Sequence, residues 1–421
     1  MTLPSPALTW IIAGLATAGV MLRPFKSSEA VWAVAGATAV VLLGLLPVRD
    51  AWHGVLKGED VYMFLVGMML LSELARQHGF FGWLAALATV SAKGSAIRLF
   101  ALTYAVGIVV TAFLSNDATA IVLTPAVYAS ARAAKVSDPL PYLMACAFIA
   151  NAASFVLPIS NPANLVVFGG GHLPALVDWL SRFGLPSVVA IASTFLAQRF
   201  AQRHALRDEK LLPAAALPPL SVSGKIAGAG IVASAVALVA VSTAGANLGL
   251  ATLAVGGGCT LLVQAISRKD PLSVARHVSW DVIILVAALF VLVEALDRTK
   301  LTGDLAAMLH EGIVRTPRLA AFASATGVAV LDNVANNLPV GLVAGSIVRH
   351  GALTHATAGA LLIAVDLGPN LSVTGSLATI LWLAALRREG QRVTAWTFLK
   401  LGAVVMPPAL IFSVGALILV H

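Results

Sequence analysis

Long apolar stretches alternate with short polar loops along the whole chain. Stretches long enough to cross a bilayer as helices lie near residues 7–22, 30–47, 60–77, 141–165, 184–203, 225–243, 248–266, 281–296, 352–386 and 398–420. The composition fits this pattern, because 59% of the 421 residues are hydrophobic and only 11% are charged, against about 25% charged in an ordinary soluble domain. The pattern predicts an integral membrane protein with about ten transmembrane helices.

Two further apolar regions, about 98–133 and 317–350, each have a polar centre. The centres read "SNDAT" at 115–119 and "DNVANN" at 332–337. Each region is either two short spans or a re-entrant hairpin whose tip stops at mid-membrane. Non-helical polar backbone at that depth is tolerated only where it is buried in protein or lines a cavity. The polar tips therefore favour two re-entrant hairpins.

The distribution of positive charge orients the chain. If both regions are hairpins and the longest polar loop is cytoplasmic, 19 of the 27 Lys and Arg residues face the cytoplasm, as the positive-inside rule requires. Two crossings per region would leave the loops on the same sides, so charge alone does not separate the alternatives. Because the basic residues lie in short loops between apolar stretches, the net charge of +8 reflects topology and does not indicate nucleic-acid binding.

The second half of the chain repeats the first. Asp60 aligns with Asp281 and Glu73 with Glu294 at one constant offset, and a polar tip and a second interruption follow in each copy. In the charge-based topology the two copies enter the membrane from opposite sides. We therefore predict a single transporter domain built from inverted repeats, with repeat one at about 30–203, a cytoplasmic linker at about 204–224 and repeat two at about 225–421. The predicted fold class is an all-α polytopic membrane protein with broken helices.

The second interruptions are "PISNPANL" at 158–165 and "LGPNLSVTGSL" at 367–377. Gly and Pro in these segments stop helical hydrogen bonding and free backbone groups as ligands. A transporter of this kind has its site where the hairpin tips and helix breaks meet. Neutral amides and hydroxyls there suit a polar substrate that both donates and accepts hydrogen bonds.

Three acidic residues flank these segments. Asp117 and Asp332 lie at the hairpin tips, and Asp366 precedes the second break. Intramembrane carboxylates are costly and are commonly functional, so all three are candidates for proton coupling. The alternative for Asp117 and Asp332 is a purely structural role as helix caps.

Other kinds of chemistry find little support. Two cysteines are too few for a four-ligand metal site, and no two histidines have the spacing of a metal pair on a helix. We therefore predict no metal, no cofactor and no catalytic residue. A membrane-embedded hydrolase using Asp117 and Asp366 stays an alternative, but the sequence has no convincing catalytic pair motif.

The segments "FLSNDATAIVLTPAVYA", "FIANAASFVLPISNPANLVVF", "DNVANNLPVGLVAG" and "DLGPNLSVTGSLATILWLAALRREG" closely resemble the ArsB family of arsenite and antimonite efflux permeases in the ion transporter superfamily. The resemblance implies secondary active efflux of both metalloids, as neutral trihydroxides, across the bacterial inner membrane in exchange for protons. It also implies that some members dock to an ArsA-type ATPase; the remaining partner is membrane lipid.

Arsenous acid is uncharged at neutral pH and carries three hydroxyls, so it needs hydrogen-bond partners more than a counter-charge. The candidate substrate-binding residues are Ser115, Asn116, Ser160, Asn161, Asn164, Asn333, Asn336, Asn337, Asn370, Thr374, Gly375 and Ser376. A sodium/proton antiporter or an organic-anion carrier of the same superfamily stays open as the alternative. Sodium carriers of the superfamily have Ser-Asn-Thr at the tips, where this chain has Ser-Asn-Asp and Asp-Asn-Val.

Overall fold

The computed structural model describes residues 6–24, 27–168, 174–208, 211, 217–270, 272–350 and 353–421, and all regular structure in these ranges is helical. The first half contains α1 Pro6–Leu22, α2 Glu29–Leu42, α3 Val48–Leu56, α4 Glu59–Gln77, α5 Phe80–Ser91, α6 Ala96–Phe113, α7 Asn116–Ala118, a π-helical turn Thr119–Leu123, α8 Thr124–Ala133, α9 Leu140–Ala152, a 3-10 turn Pro158–Ser160, α10 Pro162–Phe168, α11 Leu176–Ala201 and α12 Arg203–Asp208.

The second half contains α13 Val222–Thr243, α14 Leu248–Ile266, α15 Leu272–Ala275, α16 Trp280–Asp297, α17 Leu301–Arg315, α18 Pro317–Ala335, α19 Asn337–His350, α20 His355–Leu367, a 3-10 turn Gly368–Asn370, α21 Leu377–Arg388 and α22 Ala395–Val420. This order repeats that of α1–α11, with α19 in the place of the continuous segment α7–α8. Because α13 has its counterpart in α1, we propose that the first copy begins with α1 and not near residue 30. Part of the predicted linker lies outside the described residues.

The chain is a multi-pass membrane protein. Five helices of the described residues are long and apolar enough to cross a membrane: α6, α11, α13, α14 and α22. Helices α4 and α16 are of similar length but carry more charged residues near their ends. Crossings by α9 with α10, and by α20 with α21, are interrupted by non-helical segments. The broken helices predicted from the Gly and Pro residues are therefore present.

Both regions with polar centres form helical hairpins. Helix α6 turns at 114–115 into α7–α8, and α18 turns at Asn336 into α19. Asn336 has a φ of 68°, a conformation that Asn adopts more readily than most residues. Two hydrogen bonds fix it, because its backbone N–H donates to Asp332 O at 2.8 Å and its side chain donates to Thr374 O at 3.2 Å.

The helices form two bundles. We call α1, α2, α4, α13, α14 and α16 the scaffold bundle, and α6–α11 with α18–α22 the hairpin bundle. Within the scaffold bundle α4 packs on α14 and α16 packs on α2. Since α2 corresponds to α14 and α4 to α16, these contacts are reciprocal, as a two-fold relation between the copies requires. The α4–α14 contact is very close, because a Cβ on Gly256 would overlap the backbone of Gly67.

Helices α9 and α20 lie almost fully buried at the centre of the hairpin bundle. Every residue from Pro141 to Ala152 and every residue from Thr357 to Leu367 is buried. Helices α6 and α11 pack on α9, and α18 and α22 pack on α20. Helices α9 and α20 are the helices that break. The breaks are thereby held inside the protein, where protein groups replace the missing helical hydrogen bonds.

Candidate functional site

Four helices begin close together between the two bundles. They are α7 and α19, which follow the hairpin tips, and α10 and α21, which follow the breaks. Residues from the first turn of each line one small central cleft. A helix N-terminus presents unpaired N–H groups and the positive end of the helix dipole. The cleft is therefore rich in fixed hydrogen-bond donors before any side chain is considered.

The residue before each of these helices is a side-chain N-cap. Ser115 Oγ accepts from Ala118 N at 3.2 Å, and Ser376 Oγ accepts from Thr379 N at 3.1 Å. Asn161 Oδ1 accepts from Ala163 N at 3.0 Å, and Asn336 Oδ1 accepts from Leu338 N at 3.3 Å. Four of the predicted substrate-binding residues therefore satisfy part of the helix ends themselves.

The central cleft has a volume of about 20 Å³. It is lined by Leu65, Asn116, Asp117, Asn161, Pro162, Val282, Val286, Asn337, Leu338, Ser376, Leu377 and Ala378. Among these described residues none is basic, and the polar groups are three amides, one hydroxyl and one carboxyl. A volume of this size holds about one water molecule, so a larger substrate requires the walls to separate slightly.

Asn116 and Asn337 occupy equivalent places in the two repeats. Each is the first residue of the helix after a hairpin tip, and they are separated along the chain by the same offset that aligns Asp60 with Asp281. Asn333 also belongs to the polar centre of its hairpin, but it does not share this place. The geometry shows that Asn333 lies one turn earlier, inside α18.

A cavity of about 640 Å³ leads from the cleft to the face that the charge pattern assigns to the cytoplasm. Leu65, Asp117, Pro162 and Val282 line both the cleft and this cavity. Toward the loops the cavity is bordered by charged residues that include Arg76, whose guanidinium donates to the Glu73 carboxylate at 2.6 Å.

On the opposite side of the cleft lies a second cavity of about 470 Å³. It shares no lining residue with the cleft among those described. Helices α10 and α19 pack tightly between them: a Cβ on Gly345 would lie 2.5 Å from Val166 O. The cleft therefore borders the cytoplasmic cavity and is closed from the outer one.

Several predicted residues hold the breaks and do not reach the cleft. Asn164 donates its side-chain amide to Ser154 O at 2.9 Å, Leu157 O at 3.2 Å and Pro158 O at 3.3 Å. The side-chain amide therefore pairs carbonyls of the break that follows α9. Ser160 Oγ donates to the hairpin carbonyl Ala112 O at 3.0 Å, which ties the first break to the first hairpin.

The second break is tied to the second hairpin. Asn333 Nδ2 donates to Gly368 O at 2.9 Å and Asn333 Oδ1 accepts from Ser372 Oγ at 2.6 Å. Thr374 Oγ1 donates to Asn333 O at 3.1 Å. Gly375 O accepts from Asn337 N at 2.8 Å, and a Cβ on Gly375 would lie 2.5 Å from Pro369 Cα. These residues fix the backbone around the cleft.

The three candidate carboxyls differ in their surroundings. Asp117 is partly exposed and lines both the cleft and the cytoplasmic cavity. Asp366 is fully buried, and its Oδ1 accepts from Asn161 Nδ2 at 2.6 Å. Asp332 is also fully buried, beside Gly368, and neither of its oxygens has a hydrogen-bond partner among the described residues. Only Asp117 touches the cleft directly, and only Asp366 bonds to a cleft side chain.

Asn151 was not among the residues selected from the sequence. It lies fully buried at the end of α9, and its Nδ2 donates to Asn370 Oδ1 at 3.0 Å. Asn370 Nδ2 in turn donates to Phe148 O at 3.2 Å. Asn151 therefore links the two breaks. The signal that could have found it is an amide in an otherwise apolar helix, two turns before Pro158.

No group of three His, Cys, Asp or Glu residues in the described part of the chain could hold a metal ion. Two hairpins, two broken helices and a polar cleft between two bundles define a membrane carrier. The citrate transporter family matches residues 18–368, and the chain belongs to this family. As the family name describes other members, it does not by itself assign citrate as this protein's substrate.

Relatives match over nearly the full length. An uncharacterized transporter of Mycobacterium tuberculosis is 27% identical over 400 residues, covering 92% of both chains. The arsenical pump membrane protein of Yersinia enterocolitica is 28% identical over 402 residues, covering 92% of this chain and 91% of the relative. An arsenical pump membrane protein of Escherichia coli is 27% identical over 408 residues, covering 92% of each. These relatives support the ArsB-type resemblance of the sequence motifs.

Two solved structures share the fold. The YdaH transporter of Alcanivorax borkumensis superposes with a TM-score of 0.61 at 13% identity, covering 99% of this chain and 98% of that one. MtrF of Neisseria gonorrhoeae gives a TM-score of 0.55 at 11% identity, covering 99% and 95%. At these identities the likeness concerns the fold alone. The relatives named above are transporters or pump membrane proteins, in keeping with a carrier.

Proposed function

We propose that this protein exports arsenite and antimonite as neutral trihydroxides, in exchange for protons, across the inner membrane of a bacterium. The observation that carries the proposal is the central cleft. It offers amide, hydroxyl and helix N-terminal donors, and no described residue lining it is basic. Buried polar groups need partners on the substrate, and a trihydroxide supplies both donors and acceptors.

The names of the relatives support the substrate class, since several at 25–28% identity are arsenical pump membrane proteins. The open side of the cleft gives a substrate bound for export a way in from the cytoplasm. The cavity of about 640 Å³ lies on the face that the charge pattern assigns to the cytoplasm. A substrate bound for export would enter through this cavity and pass Asp117 before it reaches the amides.

The proposed substrate-contacting residues are those that face the cleft, Asn116, Asn161, Asn337 and Ser376. Asn164, Asn333, Asn336, Asn370, Thr374, Ser160, Ser115 and Gly375 have their hydrogen bonds or backbones committed to caps, tips and breaks, and we propose that they shape the site. Asp117, Asp332 and Asp366 are the proposed proton-coupling groups.

An organic anion is the second candidate substrate. The family description favours it, and four helix N-termini at one cleft would attract negative charge. Against it stands the Asp117 carboxyl on the cleft wall, which would repel a carboxylate when ionised. The same argument predicts that arsenate, an anion at neutral pH, is not exported.

The test is uptake into everted membrane vesicles from a strain without arsenite pumps. Arsenite, antimonite, arsenate, citrate and sodium are offered separately, with and without an imposed pH gradient. We expect arsenite and antimonite to accumulate only with the gradient. Accumulation of citrate without arsenite would replace this proposal by the organic-anion carrier, and sodium uptake alone would favour the sodium/proton antiporter.

The ArsA-type ATPase implied by the resemblance is a proposed partner at the cytoplasmic face. Co-purification of the full chain with an ArsA-type ATPase from the same membranes would support this partner. If vesicles accumulate arsenite at the same rate with and without ATP, transport does not require the ATPase.

A further inference from the structure

The two buried helices that break carry a polar residue at the same place. Helices α9 and α20 are equal in length, and Asn151 and Asp366 are each the second-last residue of their helix. The distance along the chain from Asn151 to Asp366 is the same as that from Asn161 to Ser376. Asn161 and Ser376 are the N-caps of α10 and α21, which follow the two breaks. These four residues are buried, with side chains between 0% and 3% exposed.

The hydrogen bonds between these residues cross from one repeat to the other. Asp366 in the second copy accepts from Asn161 in the first at 2.6 Å. Asn151 in the first copy accepts from Ser376 in the second, with 3.5 Å between Ser376 Oγ and Asn151 Oδ1. In each pair the N-cap residue, Asn161 or Ser376, lines the central cleft. The repeats thus build the same crossed contact twice, once with a carboxyl and once with an amide.

The Asp366 carboxyl also has room for a proton. Its second oxygen, Oδ2, is buried without a hydrogen-bond partner in the described part of the chain. Helices packed on α20 include α9, α10, α18, α19 and α22. The titratable or charged residues of these helices and of the C-terminus are Tyr142, Cys146, Arg318, Asp332, Arg349, His350, Lys400 and His421. Asp332 is the one acid in this set, and it has no direct bond to a cleft residue among those described.

We propose that Asp366 carries the exchanged proton and that Asn151 is its neutral counterpart in the first repeat, so that a carboxyl at either of these two positions couples substrate to protons. This inference rests on the proposed arsenite–proton exchange and names the coupling position within it. Asn151 acts through Ser376 and is a positioning residue, whereas Asp366 acts on the cleft through Asn161.

The coupling follows from the strength of one hydrogen bond. An ionised Asp366 makes a charge-assisted bond to Asn161, which is roughly twice as strong as the neutral one. Asn161 is then held with its second amide hydrogen available to the cleft. When a proton forms an O–H bond at Asp366 Oδ2, the charge is lost and the hold on Asn161 weakens. Substrate and proton therefore compete, as exchange requires, and release of the proton toward the cytoplasmic cavity restores the site.

The test exchanges the two side chains. Asp366→Asn is nearly isosteric and keeps an acceptor for Asn161 but cannot titrate. We expect it to equilibrate arsenite without accumulating it, whereas the wild type accumulates about tenfold for a gradient of about 1 pH unit at one proton per substrate, since one unit is a tenfold ratio of proton activity. The double variant Asn151→Asp/Asp366→Asn should recover accumulation, because the carboxyl again bonds a cleft residue.

The matched control is Asn370→Asp/Asp366→Asn. Asn370 is as buried as Asn151 and bonds to it, but it is not the symmetry equivalent of Asp366, so this variant should not accumulate arsenite. Recovery in both double variants, or in neither, overturns the proposal. Full accumulation by Asp366→Asn overturns it as well and moves the proton to Asp117 or Asp332. Failure of the wild type to accumulate arsenite would instead refute the proposed function.

A binding measurement covers the case in which a double variant does not reach the membrane. Calorimetric titration of the purified protein with antimonite in two buffers of different ionisation enthalpy counts the protons released. We expect release by the wild type, none by Asp366→Asn, and a larger number by the single variant Asn151→Asp, which carries carboxyls at both positions. An unchanged number in Asn151→Asp would refute the equivalence of the two positions.

Discussion

Asn164 should matter for stability more than for substrate contact. Its side-chain nitrogen contacts three backbone carbonyls of the break that follows α9, at 2.9, 3.2 and 3.3 Å. Its side-chain oxygen, Oδ1, is buried without a partner among the described residues. Asn164→Ala leaves the three carbonyls without this donor. Since the break lies in the centre of the hairpin bundle, water cannot readily replace it.

The magnitude follows from the number of bonds that one amide can make. Two hydrogens satisfy at most two of the three carbonyls at a time, and each buried group left unpaired costs about 1–3 kcal/mol. Removal of the unpaired Oδ1 offsets part of this. We expect Asn164→Ala to lower the free energy of unfolding by about 2–4 kcal/mol.

The assay is equilibrium unfolding of the purified protein in mixed micelles of mild detergent and sodium dodecyl sulfate. The matched control is Asn337→Ala, the same substitution at a buried residue whose side chain faces the cleft. It should change the free energy of unfolding by less than about 1 kcal/mol, because no hydrogen bond to a described side chain or carbonyl is lost. Equal loss of stability in the two variants would refute the assignment of Asn164 to the break.

Three further outcomes are expected. Asn116→Ala should abolish arsenite uptake in everted vesicles with a normal amount of folded protein, because it removes a cleft amide; normal uptake would contradict a substrate role. Gly345→Ala should reduce the yield of folded protein in size-exclusion chromatography, since a Cβ there would lie 2.5 Å from Val166 O, whereas Gly312→Ala, whose Cβ would have only a 3.7 Å neighbour, should not. Burial, with a smaller contribution from a nearby lysine, lowers the pKa of His78 just beyond α4, so the folded state favours the neutral ring. This contribution to stability is present above about pH 6.5 and is lost as the pH falls through the lowered pKa; thermal unfolding between pH 7 and 5 should therefore be less acid-sensitive in His78→Gln, and an unchanged pH dependence would contradict this reasoning.

The membrane class, the hairpins and the breaks could be predicted from the sequence. These features depend on local chemistry: apolar length decides which segments can lie in lipid, and Pro and Gly decide where a helix stops. The polar tips at 115–119 and 332–337 and the interruptions near Pro158 and Gly368 are visible in the printed chain, and each has the predicted local form.

Which polar residues face the cleft depends on how the helices pack and could not be predicted from the sequence. Asn161 and Asn164 are one turn apart at the start of the same short helix, yet Asn161 bonds to Asp366 and lines the cleft, whereas Asn164 turns back to its own break. Nothing in the residue type separates them, because an amide serves equally as ligand and as backbone cap. Asn151 was missed for the same reason. Its role depends on contacts with residues of the other repeat, far away along the chain, and such contacts exist only once the two repeats have packed together.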